Sequence, residues 1–373
     1  MKYKILTILG TRPEIIRLSC IIRSLDKNFN HKIVNTNQNF SNTLNKNFFK
    51  DLKITKPVYS MKNEKKNSPI AFIAKSLVFV DEILEKEKPD AVIILGDTNS
   101  SLTSICAKRK KIPIFHLEAG NRCFDQRVPE EINRKIVDHL SDINLTYSSY
   151  AESNLINEGL KRDFVIKVGS PLYEVYNYYN SDINKSEIIN QLKIEKNNYI
   201  LASIHREENV DDKNNLENIF NSINEISKKN KLKVIFSTHP RTKEKLKKIS
   251  NNYKFIKFCE PFGFFDYAKL LKHSTLVISD SGSITEETSL LNIRSVNLRS
   301  TNERQEGMEK GICIMSGLKK REIVNSIEVA MNKKIDHCDF GHLDYRERYV
   351  SEKITNIIQS YIPYVNKNVW LKN

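Results

Sequence analysis

The chain has 373 residues, 39% of them hydrophobic and 9% aromatic, too long for one small module at ~150 residues per domain and too apolar for a disordered chain. Lys and Arg number 60 against 45 Asp and Glu, a net charge of +15. The lysines are dispersed among Asn and Ile rather than interleaved with aromatics in one patch, which argues against a nucleic-acid binder and makes runs such as Lys108–Lys111 ordinary solvated helix faces.

Short β-rich apolar runs alternate with amphipathic helical segments, the pattern of βαβ units and parallel sheets. In the first half the strands are expected at Tyr3–Leu9, His31–Asn35, Ala91–Leu95, Ile112–His116, Ile143–Thr146 and Val165–Val168. In the second half they fall at Tyr199–Ile204, Lys233–Ser237, Lys254–Phe258, Leu276–Ser279 and Ser295–Leu298. This predicts an α/β protein of two Rossmann-like, doubly wound halves, residues 1–172 and 190–349, with the hinge in Pro171–Asn198. A last helix over Val350–Tyr361 carries Ile354, Ile357, Ile358 and Tyr361 at i, i+3, i+4, i+7 spacing, and residues 350–373 are expected to pack back on the first half.

Cys20, Cys106, Cys123, Cys259, Cys313 and Cys338 are widely spaced, without a C-x-x-C pair or clustered His, so no zinc site or redox motif is expected and a reducing cytoplasm fits. After Met1-Lys2 the chain enters an alternating strand instead of a signal-peptide apolar stretch, and no run approaches the ~20 apolar residues of a membrane span.

Ligands of open α/β sheets bind outside the carboxyl ends of the strands, and the polar residues of this sequence concentrate there. After the first strand, Gly10-Thr11-Arg12-Pro13-Glu14 makes a tight turn into a helix with capping-box spacing. Its N–H groups suit an anion, with Arg12 and Arg17 adding charge, and a plain helix cap is the competing reading. Leu95-Gly96-Asp97-Thr98-Asn99-Ser100 places one carboxylate at a strand tip, where an N-cap is the alternative to catalysis. His116-Leu117-Glu118 puts His116 and Glu118 on one face of an extended strand, with Arg122 as candidate partner for Glu118. A helix opening at Pro129 carries Glu130 and Glu131 and an apolar stripe, Ile132, Ile136 and Leu140, expected to face the core, while a surface pair of Glu130 with Arg134 is the simple account of its charges. Three acids, Glu118, Glu130 and Glu131, within one short segment suit general acid/base work.

In the second half His205-Arg206-Glu207-Glu208-Asn209 sets another His and carboxylates at a strand end. Ser279-Asp280-Ser281-Gly282-Ser283-Ile284-Thr285-Glu286-Glu287 makes a small-residue turn whose amides could cradle a phosphate or simply be capped by hydroxyls. A further basic loop runs over Arg299–Arg304. No G-x-G-x-x-G is present, so a dinucleotide cofactor is not expected. An anion-friendly helix terminus in each half, with acids and a His at strand ends, points to a nucleotide-sugar site.

The motifs GTRPE (Gly10–Glu14), GDTNS (Gly96–Ser100), HLEAGNR (His116–Arg122), PEEINR (Pro129–Arg134), HREEN (His205–Asn209), DSGSITEE (Asp280–Glu287) and NERQE (Asn302–Glu306) together resemble the non-hydrolysing UDP-N-acetylglucosamine 2-epimerase family. The uninterrupted Asn121–Glu131 and Glu303–Glu309 segments are most like its branch that converts UDP-2-acetamido-2,6-dideoxy-β-L-talose to UDP-N-acetyl-L-fucosamine for surface polysaccharide synthesis. The resemblance implies a glycosyltransferase-B type fold, two Rossmann-like domains facing across a cleft, a homodimer, and an isomerase that needs neither cofactor nor metal. It implies catalytic roles for Asp97, Glu118, Glu130 and His205, with Glu131 the close alternate, and diphosphate contacts from Arg12, Arg17 and Arg304. It further implies a phosphate-cradling turn at Ser281, Gly282 and Ser283, a ribose-binding carboxylate at Glu287 and a nucleotide-contacting aromatic at Tyr267. Two departures stand out: the common DSGG turn is DSGS here, and the usual T-G-Q-H reads Thr36-Asn37-Gln38-Asn39. A UDP-N-acetylglucosamine epimerase and a glycosyltransferase of the same fold are the alternatives.

Overall fold

The computed structural model describes residues 2–38, 48–62, 68–246, 253–332 and 343–372; Asn39 and Cys338 lie outside them. The chain divides into two compact units, Met1–Tyr178 with Leu343–Asn373, and Tyr179–His342.

In the first unit the strands are β1 (Lys4–Leu9), β2 (Asn30–Asn35), β3 (Tyr59–Ser60), β4 (Ala91–Leu95), β5 (Ile114–Ala119), β6 (Ile143–Thr146) and β7 (Val165–Lys167). They pair in parallel in the order β3-β2-β1-β4-β5-β6-β7. A parallel strand covered by helices on both faces is apolar at every position, which is why Ala91–Leu95 reads AVIIL and is buried throughout. The second unit repeats the plan with β8 (Tyr199–Ser203), β9 (Lys233–Ser237), β10 (Ile256–Cys259), β11 (Leu276–Ser279), β12 (Ser295–Asn297) and β13 (Cys313–Met315), in the order β10-β9-β8-β11-β12-β13. These pairs too are parallel. Both units are thus Rossmann-like α/β sheets, as the strand pattern predicts. Each order reverses direction beside its first strand, at β1/β4 and at β8/β11, and such a switch point opens a crevice at the carboxyl ends of the strands.

The edge strands β3 and β13, of two and three residues, are not among the strands read from the sequence. The segment over Pro171–Asn198 forms short helices, Leu172–Tyr178, Asn180–Lys185 and Ile188–Leu192, with the unit boundary after Tyr178. The C-terminal helix runs Val350–Asn368 and packs on the helix Arg12–Asn28 of the first unit. Its buried stripe is Val350, Ile354, Ile358, Ile362 and Val365, and Ser24 bonds to Thr355 at 2.7 Å between the two helices. Among the described residues no helix is long and apolar enough to cross a membrane.

Candidate active site

At the carboxyl end of β1 the helix Arg12–Asn28 opens in a capping box. The Glu14 carboxylate, wholly buried, accepts the N–H groups of Gly10 at 3.0 Å and Thr11 at 2.7 Å, and the Thr98 hydroxyl at 3.3 Å. The amides that sequence reasoning offers to an external anion are therefore taken by the helix's own N3 side chain, and the cap reading holds at this terminus. Burial outweighs those hydrogen bonds from Thr11, Gly10 and Thr98 and pushes the Glu14 carboxyl up to about 7. Arg12 stands partly buried, its guanidinium 5.9 Å from the Phe48 ring centroid and its pKa lowered by burial. Among the described residues it faces no carboxylate partner.

The helix Pro129–Leu140 reverses the expected orientation. Ile132 and Ile136 are 52% and 39% exposed, while Glu131, Asn133, Arg134, Val137 and Asp138 are buried. Residues 131, 134 and 138 fall on one face of the helix, three and four apart, and that inward face carries charges that the neighbouring loops complete. Glu131 accepts the N–H groups of Cys123 at 3.0 Å and Phe124 at 3.1 Å and an N–H of Arg134 at 2.8 Å. Arg134 reaches Asp97 at 2.5 Å, so it joins Asp97 to Glu131. Asp138 accepts from Arg122 at 2.7 Å and from the Gly120 amide at 3.2 Å. The apolar stripe faces outward because the polar partners of this helix lie beneath it, an arrangement that periodicity alone cannot foretell.

Glu118 sits on β5 at φ 64°, where the pairing of β5 with β6 slips between Leu117 and Ala119. This bulge breaks the alternation that would set Glu118 beside His116. His116 is instead fully buried, with Nδ1 2.9 Å from Asp138 and Nε2 3.0 Å from the Gly96 carbonyl. The expected Glu118–Arg122 pair is replaced as well: Arg122 bonds to Asp138 and, bidentately, to Glu158 at 2.7 and 2.6 Å. Near Glu118 stands Arg17, Nε to Oε2 3.7 Å, which also lies 5.8 Å from the Tyr147 ring. A left-handed backbone at a non-glycine residue costs about 1–3 kcal/mol and clusters at functional sites. Glu130, next to the buried Glu131, is half-buried, and its side chain makes no hydrogen bond or ion pair with another described residue. Asp97, Glu118 and Glu130 thus come from the ends of β4 and β5 and from the first turn of the adjoining helix.

The T-G-Q-H departure is accommodated. Asn37 takes φ 53° and bonds through Nδ2 to the Met61 carbonyl at 2.8 Å, asparagine being among the side chains that visit this region most readily. Gln38 accepts the Ser100 amide at 3.2 Å.

In the second unit Asp280, fully buried at the end of β11, ties the loop after β8 to the loop after β11. It takes the amides of His205 at 3.0 Å and Arg206 at 2.9 Å and the Asn209 side chain at 3.0 Å. His205 turns Nδ1 to Asp280 at 3.2 Å, with its side chain 40% exposed and its ring 5.6 Å from that of His239. With Nδ1 set beside Asp280, Nε2 is the ring position left for a ligand. A row of hydroxyls continues from this point. Ser203 meets Ser279 at 2.9 Å, the Ser281 amide donates to Ser279 Oγ at 3.1 Å, and Ser281 meets Ser283 at 3.0 Å. Ser283 donates to Glu287 at 3.3 Å. Tyr267 closes the row beside Ser203, its phenol pushed up by burial and by the Glu287 charge.

Gly282 caps the helix Ser283–Leu291, and a Cβ there would lie 2.0 Å from Glu303 Oε1. A side chain there would displace the Glu303 carboxylate, which Arg299 holds. Ser283 is the first helical residue and does not take a positive φ, so DSGS needs no second glycine backbone. Arg304, buried, donates from Nε to the Gly282 carbonyl at 3.2 Å and pairs with Glu286 at 3.3 Å, which braces the turn from below. Arg299 likewise holds Glu303 at 2.5 Å. Arg134, Asp138 and Asp280 support the site without standing out in the sequence, although the i, i+3, i+7 spacing of Glu131, Arg134 and Asp138 could flag the first two.

Two parallel sheets with acids and arginines at the switch point of one and a His with a braced glycine turn at that of the other now meet a match along the chain: residues 23–359 fit the family described as UDP-N-acetylglucosamine 2-epimerase. The chain belongs to that family. A UDP-N-acetylglucosamine 2-epimerase structure from Rickettsia bellii superposes with a TM-score of 0.93 at 44% identity, covering 100% of both chains. The Methanocaldococcus jannaschii UDP-GlcNAc 2-epimerase, solved in complex with UDP-GlcNAc and UDP, gives 0.88 at 36% identity over 95% of this chain and 99% of that one. In sequence, the Pseudomonas aeruginosa UDP-2,3-diacetamido-2,3-dideoxy-D-glucuronate 2-epimerase is 32% identical over 349 residues, 91% of this chain and 95% of its own. The chain is an enzyme, an isomerase of the epimerase class.

Proposed function

We propose that this epimerase inverts C2 of a UDP-2-acetamido sugar by eliminating UDP and adding it back. The C2 hydrogen of such a sugar has no adjacent carbonyl to acidify it, so a base removes it only as the C1–O bond breaks and positive charge grows at C1. The electron pair of that bond leaves with UDP, C1 and C2 become doubly bonded in a 2-acetamidoglycal, and an acid on the opposite face returns a proton to C2 as a UDP oxygen re-forms the bond to C1. Asp97, Glu118 and Glu130 are the proton-transfer groups. The observation that carries the reading is their setting: Asp97 is held by Arg134 at 2.5 Å and Glu118 stands 3.7 Å from Arg17, each at the end of a parallel strand, the second in a strained bulge. Glu131, with both oxygens taken by neighbours, positions the loop before the helix. On the nucleotide side the Ser281–Ser283 turn, Arg12 and the Nε2 of His205 stabilise the departing diphosphate. Tyr267 and Glu287 hold the nucleoside, and Arg304 acts through the Gly282 turn it braces.

UDP-2-acetamido-2,6-dideoxy-β-L-talose is the substrate we favour, on the Asn121–Glu131 and Glu303–Glu309 segments. The second reading, UDP-N-acetylglucosamine, is supported equally by the family match and by the 44% identical structure. Incubation with each sugar in D2O, followed by NMR, decides between them: inversion with deuterium entering at C2 alone is expected for one. Absence of inversion with both, or inversion without label, overturns the mechanism. We also propose a homodimer seated on the outward stripe of Ile132 and Ile136, and a cytoplasmic enzyme, in keeping with free thiols at the described cysteines.

A further inference from the structure

We propose that His116 and Asp138 are positioning residues, a buried pair that fixes the turn before Asp97 relative to the bulge that carries Glu118. The proposal rests on the epimerase reading above, in which those two carboxylates exchange the C2 proton.

β4 and β5 are neighbours, with Ile94 opposite His116 and Leu95 opposite Leu117. Beyond those pairs each strand leaves regular geometry: Gly96 takes φ 75°, Glu118 φ 64° and Gly120 φ 84°. The Gly96 amide still donates to the Leu117 carbonyl at 3.0 Å, and Asp97 and Glu118 each stand one residue past that bond. The buried pair adds a side-chain constraint to it. The Gly96 carbonyl only accepts, so His116 Nε2 donates to it across 3.0 Å and holds the residue directly before Asp97. The other ring nitrogen lies 2.9 Å from Asp138 Oδ1. Asp138 in turn receives the Gly120 amide at 3.2 Å, two residues beyond Glu118, and Arg122 at 2.7 Å. Side chains of His116 and Asp138 are both 0% exposed, so neither touches substrate. Burial pushes the Asp138 carboxyl up, but the neighbouring His116 and Arg122 outweigh it and hold it below its usual value. Arg134, one turn earlier on the same helix as Asp138, grips Asp97 itself at 2.5 Å. One rigid helix therefore reaches both carboxylates, Asp97 directly and Glu118 through the Gly120 amide, and the histidine closes the loop between them.

Two substitutions at one position separate positioning from packing. Gln places an amide nitrogen near the site of histidine Nε2 and keeps the donor to Gly96. Asn places one near Nδ1, keeping a nitrogen beside Asp138 and losing the reach to Gly96. Misplacement of catalytic groups by ~1 Å costs about 100-fold in turnover. His116→Asn and Asp138→Asn are therefore expected to lower kcat about 100-fold, and His116→Gln to stay within about 10-fold of wild type. KM and the affinity for UDP, measured by calorimetry on the full chain, should stay within about three-fold, because ground-state binding does not depend on the relation between the two carboxylates. Release of free UDP per inversion should rise in the Asn variants, since a misaligned acid returns the proton late. If Asp138→Asn melts below the assay temperature, the two His116 variants decide the matter alone. Equal kcat in His116→Gln and His116→Asn, or kcat per folded molecule within about three-fold of wild type in the Asn variants, overturns the proposal. Failure of the wild-type enzyme to invert C2 would instead remove the epimerase reading and leave the pair a buried support.

Discussion

Glu130 and Glu131 are consecutive in sequence, and the structure gives them opposite surroundings. Both oxygens of Glu131 are in use, by the Cys123 and Phe124 amides and by Arg134 at 2.8 Å. In Glu131→Gln one oxygen remains an acceptor and the other becomes an NH2 aimed at a donor. Hydrogen bonds to charged groups contribute roughly 1.5–3 kcal/mol each. Orphaning a buried ion costs about 3–5 kcal/mol, but Arg134 keeps Asp97, so about 3 kcal/mol is the expected loss. In a unit of about 200 residues that lowers Tm by about 6–12 °C. Glu130→Gln removes no bond among described residues and should leave Tm within about 2 °C. Its cost should fall on kcat, about 10²–10⁴-fold for a lost proton-transfer group. Scanning calorimetry alongside NMR-monitored C2 inversion measures both quantities for both variants. A Glu131→Gln melt within 2 °C (roughly 1 kcal/mol or less) of wild type, or a Glu130→Gln melt lowered as far as that of Glu131→Gln, would refute the division of labour.

Gly282→Ala would place a methyl 2.0 Å from Glu303 Oε1, pushing that carboxylate off Arg299; UDP affinity by calorimetry should fall at least about 10-fold while Asp97-side proton chemistry is untouched, and unchanged affinity would remove this turn from the nucleotide site. Glu14 holds its proton to about pH 7 in the folded chain but releases it near its usual value when unfolded. The folded state therefore binds the extra proton, and stability falls as pH rises from about 4.5 to 7, by about 3 kcal/mol in all. Glu14→Gln mimics the protonated form, so its melting temperature relative to wild type should climb over that window; a constant difference between pH 5 and pH 7 refutes the linkage. Ile136→Glu should convert the proposed dimer to monomer in analytical ultracentrifugation, and a dimer that survives it would move the interface elsewhere.

How much of this protein is legible in its sequence depends on how far apart the determining residues lie. Strands such as Ala91–Leu95 and Leu276–Ser279 coincide with their apolar runs because burial on both faces is a local, continuous signal. The turns after β1, β4, β8 and β11 are legible for the same reason, each being a strand succeeded at once by small and polar residues. The partners are not. Glu118 turned to Arg17 and not Arg122 because a one-residue bulge changed the face it presents. The stripe of Ile132 and Ile136 looked like core because periodicity reports that a helix has two faces without saying which is inward. Only the positions of Asp97, Gly120 and the Cys123 amide, set by other segments, made the charged face the buried one.

Glu118 offers the sharpest separation of what the fold needs from what the chemistry needs. Its φ of 64° belongs to the region that glycine enters freely and other residues enter at about 1–2 kcal/mol. A carboxylate kept there loses stability, and the bulge persists because Asp138 fixes the Gly120 amide and Arg17 stands against the side chain. Glu118→Ala and Glu118→Gly both delete the carboxylate and its contact with Arg17, so the difference between them isolates the backbone. Alanine ordinarily exceeds glycine in stability by about 0.5–1 kcal/mol in regular structure. At this position the order should invert, with Glu118→Gly about 1 kcal/mol more stable than Glu118→Ala in urea unfolding monitored by circular dichroism, and with both variants inactive in C2 inversion. If alanine proves equal to glycine or better, the left-handed backbone carries no strain and the bulge is simply where the chain prefers to lie. If instead glycine proves the more stable and turnover is lost in both, the strand has kept an unfavourable conformation at the one residue whose side chain must reach past the sheet.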